Sequence, residues 1–191
     1  MVNPVEFALG IPGWMRELEL SWLSRIAAAL PSGAVWLEVG SWMGKSWSAV
    51  ALSLPLPATI ISVDTFDGGT YDGATVKYVK EHGPVMEDFV RVHEQVRKER
   101  PGLASLIMVM SSAAAAWLVA DRSCDVVFID GDHKTNAVLE DNRIWSPKIK
   151  SGGLLCGHDA DDPNVLAALE DLPLERMDPS GRGSIWCRKR R

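Results

Sequence analysis

The sequence has few cysteines and no long hydrophobic run. Only Cys124, Cys156 and Cys187 occur in 191 residues. This odd number argues against a disulfide framework and favours reduced thiols in the cytoplasm. No apolar run reaches the ~18–20 residues that a membrane-spanning helix needs. The chain also does not begin with the basic region and apolar stretch that are typical of a secretory signal. These absences predict a cytoplasmic protein with no membrane partner.

The chain also has no excess of positive charge and no internal repeat. Its formal net charge is −5 at pH 7, which argues against nucleic acid as the main partner. Hydrophobic residues make up 47% of the sequence, enough for a globular core in a chain of this length. We therefore expect one domain over residues 1–191 and leave open whether it forms a homo-oligomer.

Apolar stretches of strand length alternate with stretches of helical periodicity from residue 35 onwards. Such alternation is typical of a parallel sheet covered by helices on both faces. Two short apolar stretches close the chain, joined by the turn sequence Asp178-Pro179-Ser180-Gly181, and they favour a hairpin. The predicted fold class is α/β, a doubly wound, mostly parallel seven-stranded sheet of Rossmann-like type with a C-terminal antiparallel hairpin. The predicted strands are 35–39, 59–63, 105–110, 125–129, 153–157, 174–177 and 184–188.

Two segments outside this pattern are candidates for covering a ligand. Residues 1–33 combine an irregular stretch, up to residue 12, with an amphipathic helix over 14–30. Residues 64–84 are a long, glycine-rich connection that holds at most a short helix at 75–81. Connections of this length in a compact domain are usually functional. We expect residues 1–33 to cover the pocket and residues 64–84 to act as a lid.

The stretch from Val35 to Ser46 reads as a strand, a glycine turn and the start of a helix. This arrangement opens many nucleotide-binding domains, because glycines allow close backbone approach and a helix N-terminus offers unpaired N–H groups. The third glycine of the dinucleotide fingerprint is absent, since Gly44 is followed by Lys45-Ser46. The loop therefore favours a ligand with a ribose but no pyrophosphate, of which S-adenosylmethionine (SAM) is the commonest.

Polar residues follow five predicted strands at the point where each strand ends. Ligands of open α/β sheets bind beyond these carboxyl ends, so the residues should meet at one rim. Asp64 lies 24 residues after Gly40, where an acid typically accepts both ribose hydroxyls; the alternative is a turn or cap residue. The set at the rim is Glu38, Asp64, Ser111 with Ser112, Asp130 with Asp132 and His133, and His158 with Asp159.

Four of these stretches together resemble class I SAM-dependent methyltransferases. They are Glu-Val-Gly-Ser-x-x-Gly-x-Ser from Glu38, Val-Asp-Thr-Phe from Val63, Phe-Ile-Asp-Gly-Asp-His from Phe128, and Gly-Gly-Leu-Leu-Cys-Gly-His-Asp from Gly152. More narrowly, the chain resembles the branch that contains catechol-type and macrolide-sugar O-methyltransferases and cephalosporin-hydroxylase-like proteins. The resemblance runs from about residue 12 to residue 160.

The resemblance implies a set of cofactor-binding residues. The methionine end of SAM would be held by Glu38 and the glycine loop, with Trp42 over it, and Asp64 would bind the ribose. The adenine would lie between Thr65-Phe66 and the residues that follow the third strand. The full implied set is Glu38, Gly40, Ser41, Trp42, Gly44, Ser46, Asp64, Thr65, Phe66, Ser111, Ser112, Ala113 and Asp130.

The resemblance also implies a metal and a base. In catechol-type relatives the aspartate at the Asp130 position binds magnesium, together with an Asp-Asn pair that reads His158-Asp159 here. The implied metal ligands are thus Asp130, His158 and Asp159, for Mg²⁺ or Mn²⁺, although histidine suits manganese, iron or zinc better than magnesium. His158 is either a ligand or a hydrogen-bond partner of one. His133 stands where those relatives carry a catalytic lysine; it is either the base, acting with Asp130, or a helix cap.

The expected reaction is methyl transfer from SAM to a hydroxyl oxygen of a small molecule. Two alternatives stay open. One is a nicotinamide-dependent oxidoreductase, although neither Tyr71 nor Tyr78 is followed four residues later by the lysine that short-chain dehydrogenases use. The other is a SAM-binding module without catalysis. The sequence does not identify the methyl acceptor.

Overall fold

Strands and helices alternate along the chain as the hydrophobic pattern predicts. The computed structural model describes residues 2–68, 73–170, 175–176 (backbone only) and 184–190. The strands are β1 (Val35–Val39), β2 (Ala58–Asp64), β3 (Leu103–Val109), β4 (Cys124–Ile129), β5 (Ile149–Gly157), β6 (Glu175–Arg176) and β7 (Trp186–Lys189). The helices are α1 (Pro4–Leu9), α2 (Glu17–Ala28), α3 (Lys45–Ser53), α4 (Ala74–His82), α5 (Met86–Glu99), α6 (Ser112–Leu118), α7 (Thr135–Trp145) and α8 (Pro163–Leu169).

The strands form one sheet in the order β3-β2-β1-β4-β5-β7-β6. The first five strands are parallel, and β7 runs antiparallel to β5 and to β6. The doubly wound, mostly parallel sheet with an antiparallel C-terminal pair is thus confirmed, with β6 contributing only two residues. The predicted turn at 178–181 lies outside the described residues. Strand order reverses between β1 and β4, and this places a crevice at their carboxyl ends.

Each face of the sheet carries its own hydrophobic core. Trp36 of β1 packs with residues of α1, α2, α3 and α5, whereas its neighbour Leu37 packs with residues of α6, α7 and α8. This alternation follows from the two-residue period of a strand. All three cysteines are buried thiols. Among the described helices, none combines the length and the apolar character that crossing a membrane requires.

The end of β1 lies very close to the end of β4, and this requires a glycine. Gly40 has φ +86°, and a Cβ atom there would lie 2.0 Å from the carbonyl oxygen of Asp130. Backbone hydrogen bonds of 2.8 Å, from Gly40 N to Val63 O and from Asp130 N to Val39 O, tie the ends of three strands together. Gly40 is therefore fixed by strand packing, before any ligand is considered.

The N-terminal segment differs from the prediction in its first residues. Residues 1–12 were expected to be irregular, but α1 forms there because the Asn3 side chain accepts hydrogen bonds from Val5 N and Glu6 N, with Pro4 at the first helical position. Ala8 and Ile11 belong to the hydrophobic core. Within the expected lid, α4 is present, and residues 69–72 lie outside the described part of the chain.

Candidate active site at the carboxyl ends of the strands

A cavity of about 620 Å³ opens at the carboxyl ends of the parallel strands. Its walls come from the loops that follow β1 to β5, from α4 and α7, and from the N-terminal stretch around Trp14. Most of the predicted site residues are brought together here. Those that line the cavity are Gly40, Ser41, Trp42, Ser46, Asp64, Thr65, Ser111, Ser112, Ala113, Asp130, His133, His158 and Asp159.

Three predicted cofactor residues lie behind the cavity wall. Glu38 is fully buried and accepts a 2.6 Å hydrogen bond from Ser46 Oγ. Burial raises the pKa of Glu38 to about 8, against the opposing effect of the Ser46 hydroxyl. Gly44, at φ +89°, begins α3 against Phe89, and Phe66 is buried with its ring 5.1 Å from that of Phe89. These three residues support the cavity wall from behind and do not line the cavity themselves.

Asp64 organises the glycine loop from the end of β2. Its two carboxylate oxygens accept hydrogen bonds of 2.7 Å from Trp42 N and Phe66 N. Burial raises the pKa of this carboxyl, and the backbone N–H groups oppose the shift. Each carboxylate oxygen has a second lone pair. Asp64 can therefore hold the loop and still accept a hydroxyl hydrogen from a ligand.

Aromatic rings cover one side of the cavity. The ring centroid of Trp42 lies 5.9 Å from that of Trp14 and 5.8 Å from that of Tyr78. Trp42 adopts φ 48°, an uncommon conformation for a bulky residue. Trp14 of the N-terminal segment and Tyr78 of α4 thus both contact Trp42 of the glycine loop. That these segments cover a ligand stays a prediction.

His133 and two carboxylates converge at the ends of β4 and β5. His133 Nε2 lies 3.0 Å from Asp159 Oδ2 and 4.0 Å from Asp130 Oδ1. The hydrogen bond with Asp159 raises the pKa of His133, against the opposing effect of burial. Burial would raise the pKa of Asp159, but hydrogen bonds with His133 and His158 outweigh it and lower that pKa. A histidine held by a carboxylate in this way can take up a proton.

His158 bridges the two carboxylates from the buried side. Its Nδ1 lies 3.4 Å from Asp130 Oδ1 and 3.1 Å from Asp159 Oδ2, and its Nε2 lies 3.3 Å from Glu19 Oε2. Burial opposes the charged form, but the charge of Asp130 and hydrogen bonds with Asp130, Asp159 and Glu19 raise the pKa of His158 to about 12. These contacts fit a hydrogen-bond partner of the two carboxylates, which is the alternative to a metal ligand for His158.

Glu19 was not predicted to take part in the site. It is fully buried on α2, where it accepts hydrogen bonds from Arg16 and from Ser184 Oγ, the latter 2.8 Å long. Burial would raise the pKa of Glu19, but the hydrogen bonds with His158 and Arg16 lower it. A signal was present in the sequence, because Glu19 falls four residues before the core residue Leu23. A charged residue on the apolar face of a helix needs a buried partner.

Asp141 is a second residue that the sequence reasoning missed. It lies on α7, 6% exposed, and lines the cavity. Its Oδ1 accepts a hydrogen bond from Ser112 Oγ, and Trp145 Nε1 donates to the same hydroxyl over 2.8 Å. Burial raises the pKa of Asp141 to about 6, against the opposing effect of Ser112.

Among the described residues, one group of side chains has the spacing of a metal site. Asp130, His133 and Asp159 each offer a ligand atom, and these atoms lie within 4.8 Å of one another. Two carboxylates with one imidazole fit a divalent ion such as Mn²⁺, Fe²⁺ or Zn²⁺. Repulsion between the carboxylates does not by itself demand a metal, because His158 Nδ1 lies within 3.4 Å of an oxygen of each.

Solved structures share this fold at low sequence identity. A methyltransferase from Geobacter sulfurreducens is 16% identical, with a TM-score of 0.64, and the match covers 100% of this chain and 90% of the other. A SAM-dependent O-methyltransferase from Thermotoga maritima is 10% identical, with a TM-score of 0.64, over 99% of this chain and 71% of the other. A TDP-rhamnose 3'-O-methyltransferase of calicheamicin biosynthesis is 18% identical, with a TM-score of 0.53, over 90% of this chain and 77% of the other.

Among curated proteins no sequence matches this chain. A family model does match, and it covers residues 37–160, from β1 to the end of β5. That range contains the glycine loop, Asp64, Asp130, His133 and Asp159. The family is described as a methyltransferase domain, and the chain belongs to it.

Proposed function

We propose that the protein transfers the methyl group of SAM to a hydroxyl oxygen of a small molecule. One observation carries this proposal: the glycine loop, Asp64 and the His133–Asp159 pair face a single cavity. The proposed cofactor site and the proposed proton acceptor therefore share one cavity. The choice of oxygen as the acceptor atom is supported by two structural neighbours that are named as O-methyltransferases.

The residues around the loop fit SAM. The hydroxyl of Ser41 is buried without a hydrogen-bond partner in the described part of the chain, and Ser41 lines the cavity. A ligand with polar groups at this position, such as the amino acid end of SAM, would supply a hydrogen-bond partner for this hydroxyl. Asp64 would accept the ribose hydroxyls. When bound, SAM supplies a methyl group on a positively charged sulfur, which is open to attack by an oxygen nucleophile.

His133 would take the proton of the acceptor hydroxyl. Asp159, 3.0 Å from His133 Nε2, orients the imidazole and stabilises the imidazolium that forms. His158 in turn fixes Asp159 through its 3.1 Å contact. Trp14 and Trp42, which line the cavity, would help to align the acceptor, and alignment is a large part of catalysis in a displacement reaction.

Replacing His133 tests this role. We expect His133→Ala to lower turnover by about 10²–10⁴-fold, the usual contribution of a general base, with the affinity for SAM nearly intact. The assay is transfer of labelled methyl from SAM to a panel of hydroxyl compounds. His82→Ala is the matched control, because His82 is exposed on α4 and does not line the cavity. Equal turnover of His133→Ala and wild type would exclude His133 as the base.

A metal-assisted route is the second candidate, and the spacing of Asp130, His133 and Asp159 supports it. A divalent ion held by these residues would lower the pKa of an acceptor hydroxyl bound to it. On this route a chelator abolishes methyl transfer, and Mg²⁺ or Mn²⁺ restores it. Full activity in excess chelator would leave His133 with Asp159 as a metal-free base.

A further inference from the structure

Asp141 is a buried carboxylate in the cavity wall that the proposed reaction does not use. It is 6% exposed and belongs to α7. Burying a carboxylate is costly unless hydrogen bonds compensate for the lost water. The structure provides compensation on one side only, through Ser112.

The orientation of Asp141 is fixed by a chain of hydrogen bonds. Trp145 Nε1 donates to Ser112 Oγ, and Ser112 Oγ donates to Asp141 Oδ1. Trp145 is itself fully buried, so the chain begins at a rigid ring. The second oxygen, Oδ2, lies on the side of Gly131, where a Cβ atom on that glycine would be 3.8 Å away. Across the described ranges no donor reaches Oδ2, although both Asp141 and Gly131 line the cavity.

The position of Oδ2 indicates which part of a ligand would meet it. Under the proposed function Asp64, at the end of β2, binds the ribose, whereas Asp141 lies against Ser112, just beyond the end of β3. The residues Ser111 to Ala113 line the cavity beside it. A base attached to the ribose would extend to this wall. A fixed acceptor there selects a hydrogen-bond donor on the base.

We propose that Asp141 accepts a hydrogen bond from the exocyclic amino group of adenine and thereby selects an adenosyl over an inosyl cofactor. The inference rests on the proposed binding of SAM. A deaminated base presents a carbonyl oxygen where adenine presents its amino group. Two acceptors would then face each other, and a buried acceptor left unpaired is penalised.

A purely structural role for Asp141 makes a different prediction. If Asp141 only anchors α7 to Ser112, its replacement weakens the binding of every cofactor equally. If it reads the amino group, replacement changes the ratio of two affinities. The ratio is therefore the decisive quantity.

Titration calorimetry with S-adenosylhomocysteine and S-inosylhomocysteine measures that ratio. We expect wild type to bind the adenosyl compound roughly 10–100-fold more tightly, as for a charge-assisted hydrogen bond. Asp141→Ala should bring the ratio near one. Asp141→Asn keeps the shape, and its amide oxygen can still accept the hydrogen bond from Ser112. Its amide nitrogen then turns a donor to the base, so this variant should lose or invert the discrimination. It serves as the test if the alanine variant does not fold.

Glu140→Gln is the matched control, since Glu140 is the neighbouring carboxylate and also lines the cavity. It should keep the wild-type ratio. Loss of discrimination in Glu140→Gln alone would assign the contact to Glu140 and overturn the proposal, as would an unchanged ratio in both Asp141 variants. If wild type binds neither compound, the proposed function fails together with this inference. Binding of both with equal affinity overturns the inference alone.

Discussion

Single residues at the strand ends serve the fold and the site at once. Gly40 illustrates this, because the close approach of Asp130 already excludes a side chain there. The sequence predicted its importance from the nearness of a ligand, whereas the structure shows a packing reason. A close backbone contact of this kind cannot be predicted from a motif, because it depends on the spacing between strands that are far apart in sequence.

Asp64 combines a loop-holding role with the proposed ribose contact. Replacing it with alanine removes the acceptor for Trp42 N and Phe66 N as well as for the ribose. Losing charge-assisted hydrogen bonds of this kind should weaken binding of S-adenosylhomocysteine by about one to two powers of ten. Calorimetry checks this, with the exposed Asp67→Asn on the same loop as control. Unchanged affinity in a folded Asp64→Ala protein would rule the contact out.

Glu38 should make stability depend on pH. Its pKa is raised from 4.5 to about 8 in the folded protein, so the folded state binds more protons than the unfolded state between these values. The stabilisation by protonated Glu38 is complete below pH 4.5 and is lost as pH rises through about 8, with a slope of at most about 1.4 kcal/mol per pH unit. Glu38→Gln should flatten this dependence in urea unfolding between pH 5 and 8.5, and the exposed Glu140→Gln should not. Parallel curves for Glu38→Gln and wild type would contradict the prediction.

At the level of elements, the sequence analysis predicted the sheet, but it predicted the N-terminal helices only in part. Strands β1 and β4 are buried apolar runs flanked by glycine or polar residues, and such patterns identify strands well. Helix α1 depends on a cap by Asn3 and on a proline at its start. This signal is short, and the sequence analysis therefore predicted an irregular stretch there. The contact between Glu19 of α2 and His158, the residue after β5, depends on tertiary packing, which no local pattern in the sequence indicates.

That contact gives a prediction for Glu19. Glu19 joins α2 to His158, the residue after β5, and it also accepts a hydrogen bond from Ser184. His158 keeps Asp130 and Asp159 as partners when Glu19 is removed, so the charge of His158 is not left without a partner. We expect Glu19→Ala to lower the free energy of unfolding by roughly 1.5–3 kcal/mol, the contribution of hydrogen bonds to a charged group, measured by urea denaturation. Glu17→Ala, an exposed glutamate in the same helical turn, should change stability little. A loss as small as that of Glu17→Ala would show that the Glu19–His158 pair does not link the two elements.

At the level of the whole molecule, the site is completed by segments outside the matched family range. The matched range contains Asp64, Asp130 and His133, and the sequence placed these correctly at one rim. Trp14 and Ser184 lie before and after that range, yet Trp14 packs on Trp42 and Ser184 bonds His158. Their positions follow from how the chain ends return to the strand ends, which composition and periodicity do not encode.

Ligand-induced stabilisation of the whole domain separates the proposed function from its main alternative. A ligand that binds only the folded state at 100 times its dissociation constant stabilises it by about 2.7 kcal/mol. For a domain of this size each kcal/mol corresponds to roughly 2–4 °C. S-Adenosylhomocysteine should therefore raise the midpoint of thermal unfolding by about 5–10 °C. NADH at the same concentration should leave the midpoint unchanged, because the loop from Gly40 to Ser46 lacks the third glycine of a dinucleotide site. The reverse result, a shift with NADH and none with S-adenosylhomocysteine, would favour a nicotinamide-dependent oxidoreductase on the same methyltransferase-type fold.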